Sequence, residues 1–424
     1  MEALCGLEQV LGIQSSANIS FLMTGNFRNP GPFGGFLAMM MSISGAYIIK
    51  YRKRAKGVYR QTMIAAAAVA FCSGLLVLPA SMSRAAWISL FIALIAAIAS
   101  DTAAKSWAKN HRGTCVGLAM VAVILLAGAF FLKKDSALGR LHIWHMEALA
   151  IAHNPFGTGQ GSAAATYGRT QEQYFKENLD SVPDAIVRVA GCPEYSFNEY
   201  LHVGMEFGIP GMLLFITLLG AALHSLLKSR NTLAYGLISW MVFAFASYPL
   251  SVPRINLLLG ILLVSAVFDS RMKAAWKYPL AMVAACLSVA LFVNSGKNAD
   301  FRTIYDIGHA QFVNGDYSES IETLSEGASQ SSDPMFHVMM GRSYEALGDY
   351  TNAEKEYWTA RYMVPCRIYP LVRLTRLYVK NGDNDAAFRC AEQAAGMPIK
   401  EGHVTMSNLQ KEICVTLDSL KSCR

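Results

Sequence analysis

"SFNEYLHVGMEFGIPG", residues 196–211, runs without a break into "MLLFITLLGAALHSLL", residues 212–227. The second half is apolar over the length of a lipid-buried helix, so the first half carries polar groups to the mouth of a membrane span. Asn198, His202 and Glu206 recur every fourth residue and share one helical face. Glu199 lies three residues before His202, and an imidazole flanked by a carboxylate is a competent general base. Pro210, set between Gly208 and Gly211, loosens the helix and frees backbone carbonyls. The competing reading is a capped helix whose first turns stand in water. It suits Asn198 and Glu199 better than Glu206, which is followed at once by apolar residues.

The rest of the chain supports a membrane setting. Of its 424 residues 53% are hydrophobic and only 16% charged, against about 25% charged in soluble domains. The deficit falls almost wholly before residue 297. The expected fold is all-α: a polytopic helical bundle of about eight spans, then a soluble helical tail. The spans are read at 33–51, 60–80, 84–100, 114–132, 201–227, 233–251, 254–270 and 278–294. The domains are 1–296, with a large loop at 133–200, and 297–424. The net charge of +7 sits in short clusters between spans, as orientation signals do, and does not indicate nucleic acid. "KYRKRAK", "KSWAKNHR", "KSR" and "SRMKAAWK" fall on alternate loops and agree on one orientation. The loop 133–200 and everything after 295 are then extracytoplasmic. Arg84 and Arg254 are exceptions on the outer side, and such exceptions often have a function.

Nine cysteines form no CxxC pair and no zinc spacing, and no disulfide is assigned. Cys5, Cys72, Cys115 and Cys286 lie in apolar stretches and are expected to be core thiols. "MEALCGLEQVLGIQ" lacks a basic start and a long apolar core, so it reads as the end of a helix rather than a signal peptide.

The tail repeats. "NGDYSESIETL" (314–324), "LGDYTNAEKEY" (347–357) and "NGDNDAAFRCA" (381–391) align through Gly315, Gly348 and Gly382. Gly308, Gly341 and Thr375 precede those glycines by seven residues. Ser320, Ala353 and Ala387 follow them by five. The period and the small residues match tetratricopeptide repeats, an α-solenoid, with the last ~20 residues as a cap. Such an array serves either as a docking surface for a partner or as a stabilising spacer.

Chemistry concentrates on the outer face. Arg84 opens a span after Pro79, where Ser81 or Ser83 can cap the helix. A guanidinium at a helix N-terminus makes an anion site, and a snorkelling arginine is the equal alternative. In "SALGRLHIWHMEALAIAHNPFGTGQG" (136–161), Leu141, Trp144, Ala148 and Ile151 form one stripe, predicting a helix lying on the membrane surface with Arg140 near its start. His142, His145 and Glu147 are read as polar faces of that helix, since nothing completes a metal site. Gly157, Gly159 and Gly161 permit a tight turn but follow no strand, which excludes a nucleotide loop.

Three stretches together resemble the O-antigen ligase and O-antigen polymerase superfamily, which includes bacterial protein O-oligosaccharyltransferases. They are "MTGNFRNPGPFGGFLAMM" (23–40), containing Asn29; "SMSRAAW" (81–87); and the segment from "GRLHIWHMEALAIAHNPFGTGQG" through "FNEYLHVGMEFGIPG". In the last, Asn198, Gly208 and Gly211 keep the family's motif spacing. The resemblance covers roughly residues 1–270. It implies metal-independent transfer of a glycan from an undecaprenyl diphosphate carrier, without a cofactor, at the periplasmic face of the bacterial inner membrane. The acceptor is a lipid, another repeat unit or a protein hydroxyl. The family's two essential arginines map onto Arg84 and Arg140. Catalytic roles fall to Arg84, Arg140, Glu199 and His202. Substrate contacts fall to Asn29, Asn198, Glu206, Gly208 and Gly211. The sequence departs from the family at Phe197, where a histidine is usual. Phenylalanine accepts no proton, and Glu199 and His202 are the nearest replacements. Family members also carry further helices upstream of the segment that "MEALCGLEQ" resembles. The fused repeats favour a protein or assembly acceptor. An O-antigen or capsule polymerase, and a non-catalytic anchor presenting the repeats to a partner, are the competing readings.

Overall fold

The computed structural model describes residues 1–54, 57–114, 116–117, 120, 134–268, 275–279, 281–282, 301–398 and 404–422. Regular structure among them is helical throughout. The chain forms two compact units. The first comprises residues 1–134, 197–203 and 210–297; the second comprises 135–196, 204–209 and 298–424.

The first unit contains α1 (Glu2–Val10), α2 (Pro30–Tyr51), α3 (Val58–Val77), α4 (Arg84–Ser100) and α5 (Thr102–Asn110). The long helix α6 (Glu199–Lys228) contributes most of its length, followed by α7 (Leu233–Ala244) and α8 (Pro253–Val267). Among the described residues three helices are long and apolar enough to cross a membrane: Pro30–Tyr51, Val58–Ser81 and Glu199–Lys228. Arg84–Ser100, Leu233–Ala244 and Pro253–Val267 are shorter apolar helices. The span expected at 233–251 is interrupted: α7 ends at Ala244 and a 3₁₀ turn covers Pro249–Ser251. Pro249 cannot continue the hydrogen-bond ladder and pushes its predecessor out of helical geometry. The spans expected at 114–132 and 278–294 lie almost wholly outside the described residues. The core of the unit joins Phe33, Leu37 and Met41 of α2 to Trp240 and Phe243 of α7 and Leu259 and Leu262 of α8. Arg254, the outer-side exception, is held locally. Its guanidinium lies 2.6 Å from a Glu2 carboxylate oxygen and over the Phe27 ring. The expectation of core thiols fails at Cys72, which is exposed, and at Cys5, which is half-buried; Cys115 and Cys286 fall outside the described residues.

The second unit begins with α9 (Lys134–His153, all but its first residue), α10 (Ala163–Asn178) and α11 (Asp184–Val189). Its tail pairs α12 (Phe301–Asn314) with α13 (Tyr317–Ala328), α14 (Met335–Ala346) with α15 (Tyr350–Met363), and α16 (Tyr369–Asn381) with α17 (Asn384–Ala395); α18 (Val404–Ser422) follows. Gly315, Gly348 and Gly382 join the helices of each pair with positive φ angles of 93°, 81° and 77°, a conformation that favours glycine. The small residues seven before and five after these glycines explain the close pairing. A Cβ on Gly308 would lie 2.6 Å from Leu324, and one on Gly341 would lie 2.5 Å from Tyr357. Ala353, Ala387 and Thr375 are wholly buried, and Ser320 donates to the Gly308 carbonyl at 2.8 Å.

The second unit also packs the segment 135–196 against this tail. Gly168 of α10 abuts Met363 and Ser332. The Gln171 side-chain amide donates to the carbonyls of Gly191 and Met363, while its oxygen accepts from the Tyr167 hydroxyl. Arg367 donates to the Cys192 sulfur at 3.2 Å and pairs with Asp333 at 3.0 Å.

Candidate functional site

The polar helix α6 is broken. Gly208 leaves helical geometry with φ 71° and ψ −176°. The break strands two carbonyls, because a helical carbonyl at position i bonds the amide at i+4. The Met205 carbonyl would take Ile209 N–H, but Ile209 donates instead to the Pro155 carbonyl at 2.8 Å. The Glu206 carbonyl would take residue 210, which is proline and has no N–H. The turn after α9 fills both vacancies: Thr158 N–H reaches the Met205 carbonyl at 2.9 Å, and Gly159 N–H reaches the Glu206 carbonyl at 3.0 Å. Gly161 N–H then binds the Glu206 carboxylate at 2.8 Å.

The three loop glycines thereby acquire a physical role. Gly157, Gly159 and Gly161 have φ angles of 86°, 99° and 78°. Gly157 also has no room for a side chain, since its Cβ would sit 2.4 Å from the Glu206 carbonyl oxygen. The loop repairs a broken membrane-type helix and fixes Glu206, which is 8% exposed. Pro210 signalled the break in the sequence; its partner, the glycine turn, carried no such mark.

The entry to α6, in the first unit, is built differently. Asn198 is the N-cap, accepting from Tyr200 and Leu201 N–H at 3.0 and 3.2 Å. Glu199 is buried, and one carboxylate oxygen accepts Leu250 N–H at 2.6 Å. His202 sits one turn on, half-buried. Phe197 adopts φ 52° and meets the Tyr248 ring edge-on at 5.3 Å. Met82, two residues before Arg84, has φ 51°. A left-handed conformation in a bulky L-residue costs on the order of 1 kcal/mol and tends to mark functional sites. Among the described residues only Met82, Phe197 and Arg230 share it. Two of the three therefore lie beside candidate site residues.

Neither Ser81 nor Ser83 caps α4, contrary to expectation. Ser83 occupies the N-cap without a side-chain cap bond, and Ser81 donates to the Leu78 carbonyl at 2.6 Å. Ser81 also accepts from Ser83 N–H at 3.3 Å, which ties the turn that delivers Arg84. Asn29 caps α2 through Gly31 N–H at 2.8 Å. One turn into α2, Gly34 abuts Ser81 and Ser83, so the segments around Asn29 and Arg84 meet. Gly211 continues α6 beyond Pro210.

In the second unit, Arg140 lies half-buried on α9. Within the stripe Leu141 and Ala148 are exposed and Ile151 is buried, and His142, Met146, Glu147 and Ala150 are buried as well. His142 and Glu147 are thus interior groups and not the wet side of a surface helix. The imidazole Nε2 of His142 lies 2.9 Å from the Gln171 side-chain oxygen, which makes Nε2 the protonated nitrogen. Burial pushes the His142 pKa down. Among the described residues no three of His, Cys, Asp and Glu gather as a metal-ligand set.

Residues 67–216 match the family model described as O-antigen ligase. No curated protein matches the chain. The matched stretch runs from within α3 through Arg84, Arg140 and the glycine turn to the break in α6, and it supports assignment of this stretch to the O-antigen ligase superfamily. With the three long apolar helices, it points to an integral membrane protein engaged in glycan transfer from a lipid-linked substrate.

Proposed function

We propose that this chain transfers a glycan en bloc from an undecaprenyl diphosphate carrier to a hydroxyl acceptor at the periplasmic face of the bacterial inner membrane. The observation that carries the reading is the coincidence of the family match with the left-handed residues Met82 and Phe197 that precede Arg84 and Asn198. In the reaction, the acceptor oxygen attacks the anomeric carbon and forms the new glycosidic bond. The bond from that carbon to the phosphate oxygen breaks, and its electron pair departs with the polyprenyl diphosphate. The acceptor proton passes to a base. Arg84 stabilises the charge that grows on the diphosphate, a role the family resemblance also gives to Arg140, and the step is read as metal-independent. His202 is the assigned base. Glu199, whose carboxylate is engaged by Leu250 N–H, positions the start of α6 rather than reacting.

The paired tail helices are read as tetratricopeptide repeats on the periplasmic side, and the apolar segments as about eight spans. A protein acceptor is favoured because the tail is fused to the transferase. The test is transfer in vitro from a polyprenyl-diphosphate-linked glycan to candidate acceptors by purified full-length chain. Product that requires Arg84 and His202 is expected. Laddered polymer in place of a single addition would identify a polymerase instead. Absence of any transfer, with function still lost on deleting 298–424, would leave the non-catalytic anchor.

A further inference from the structure

A polar cleft of about 380 Å³ opens within the second unit where the end of α9, the glycine turn and α10 meet. Its wall is formed by Thr158, Thr170, Asn154, Gln173, His153 and Arg169. The Thr158 and Thr170 hydroxyls each donate one bond to a backbone carbonyl, the Asn154 amide donates to the Ala150 carbonyl and the Gln173 amide to Glu177. This leaves their remaining lone pairs and amide protons for a ligand. Its chemistry excludes the donor's polyprenyl chain, because the wall offers no large apolar side chain. Neutral amides and hydroxyls at this density are the groups that bind sugar hydroxyls. The volume accommodates roughly one or two sugar rings.

Charge narrows the ligand further. Among the described residues Arg169 is the only formally charged one on the wall. It is exposed, its bond inside the protein is to the Thr166 hydroxyl at 3.3 Å, and among the described residues it makes no ion pair. A fork of guanidinium donors facing a polar cleft matches a carboxylate. The turn that forms the cleft also holds Glu206 through Gly161, so the occupant sits beside the repaired break in α6.

We infer that this cleft is a glycan-binding subsite selective for a saccharide bearing a carboxylate, with Arg169 as the specificity-determining residue. The inference rests on the glycan-transfer reading and names the class of sugar carried.

The test measures binding to purified full-length chain in detergent, by saturation-transfer NMR and calorimetry. The probes are a glucuronate-containing tetrasaccharide and its carboxyl-reduced neutral counterpart. The acidic probe is expected to bind about tenfold or more tightly than the neutral one, and Arg169→Gln to remove that difference. Arg169→Lys should restore part of it. Equal binding of the two probes, or an Arg169→Gln variant that still prefers the acidic one, overturns the inference. Inorganic pyrophosphate competing as well as the acidic probe also overturns it, since the cleft would then be a phosphate site. The two readings fail separately. Retained transfer with no acidic preference rejects the subsite alone. Selective binding without transfer rejects the transferase alone.

Discussion

Gly157 and Gly208 meet backbone to backbone, each with a positive φ and neither with space for a Cβ. A methyl on Gly157 would lie 2.6 Å from Gly208 N, and one on Gly208 would lie 2.4 Å from the Pro155 carbonyl oxygen. The neighbours are main chain, so neither clash can be relieved by a side-chain rotation. Gly157→Ala and Gly208→Ala are each expected to destabilise the second unit by about 1–3 kcal/mol and to lower transfer. Thermal unfolding of the detergent-solubilised chain reads the first effect. An unchanged melting temperature for both variants would mean the turn does not hold the break.

Glu199 and the Leu250 amide make the second prediction. Glutamine keeps an oxygen that can accept Leu250 N–H, whereas alanine leaves that amide unpaired. Glu199→Gln should therefore retain folding and transfer within a few-fold. Glu199→Ala should lose about 1–3 kcal/mol of stability. If Glu199→Gln folds normally yet abolishes transfer, the carboxylate is the base and its assignment as a positioning group is wrong.

Arg84 follows a turn tied by Ser81 and strained at Met82. Arg84→Ala is expected to lower transfer by about 10²–10³-fold through lost stabilisation of the leaving diphosphate. Arg84→Lys should recover only part of that, because an ammonium lacks the planar fork. Initial rates with a polyprenyl diphosphate donor test this directly, and an unaffected rate would remove the anion-site argument.

His142 sets an acid limit. Its folded pKa lies below the ordinary 6.5 because burial disfavours the imidazolium. Above 6.5 both folded and unfolded forms are neutral and the contribution to stability is complete. As the pH falls below 6.5 the unfolded chain binds the proton first, so stability declines until the folded pKa is reached. His142→Gln should flatten this dependence. The melting temperature measured between about pH 7.5 and 5.5 should fall less in the variant than in the parent. An identical slope in both would show that another group governs it.

Features that follow from local pattern were legible in the sequence. The cap at Asn198, the break near Pro210 and the paired helices around Gly315, Gly348 and Gly382 all come from residues a few positions apart. Long-range partners were not. Nothing in residues 196–211 signals that Leu250 would bind Glu199, or that the glycines at 157–161 would satisfy the carbonyls of Met205 and Glu206. The buried face of α9 was misread for a similar reason. Its apolar stripe is genuine, but His142 is buried because Gln171 satisfies it, and periodicity does not record hydrogen-bond partners.

Gln171 donates its amide to Gly191 and to Met363, a residue 192 positions further along the chain. Synthesis therefore makes the loop well before the helix that completes it. Until residues 350–363 emerge, Gln171 lacks one of its two acceptors and α10 lacks its packing surface. The segment between α9 and α6 therefore lacks part of its packing until the tail has been made. A chain stopped at residue 297 would lack those partners altogether. The tail thus acts in time as well as in space, as the last component required for the loop to reach its final form.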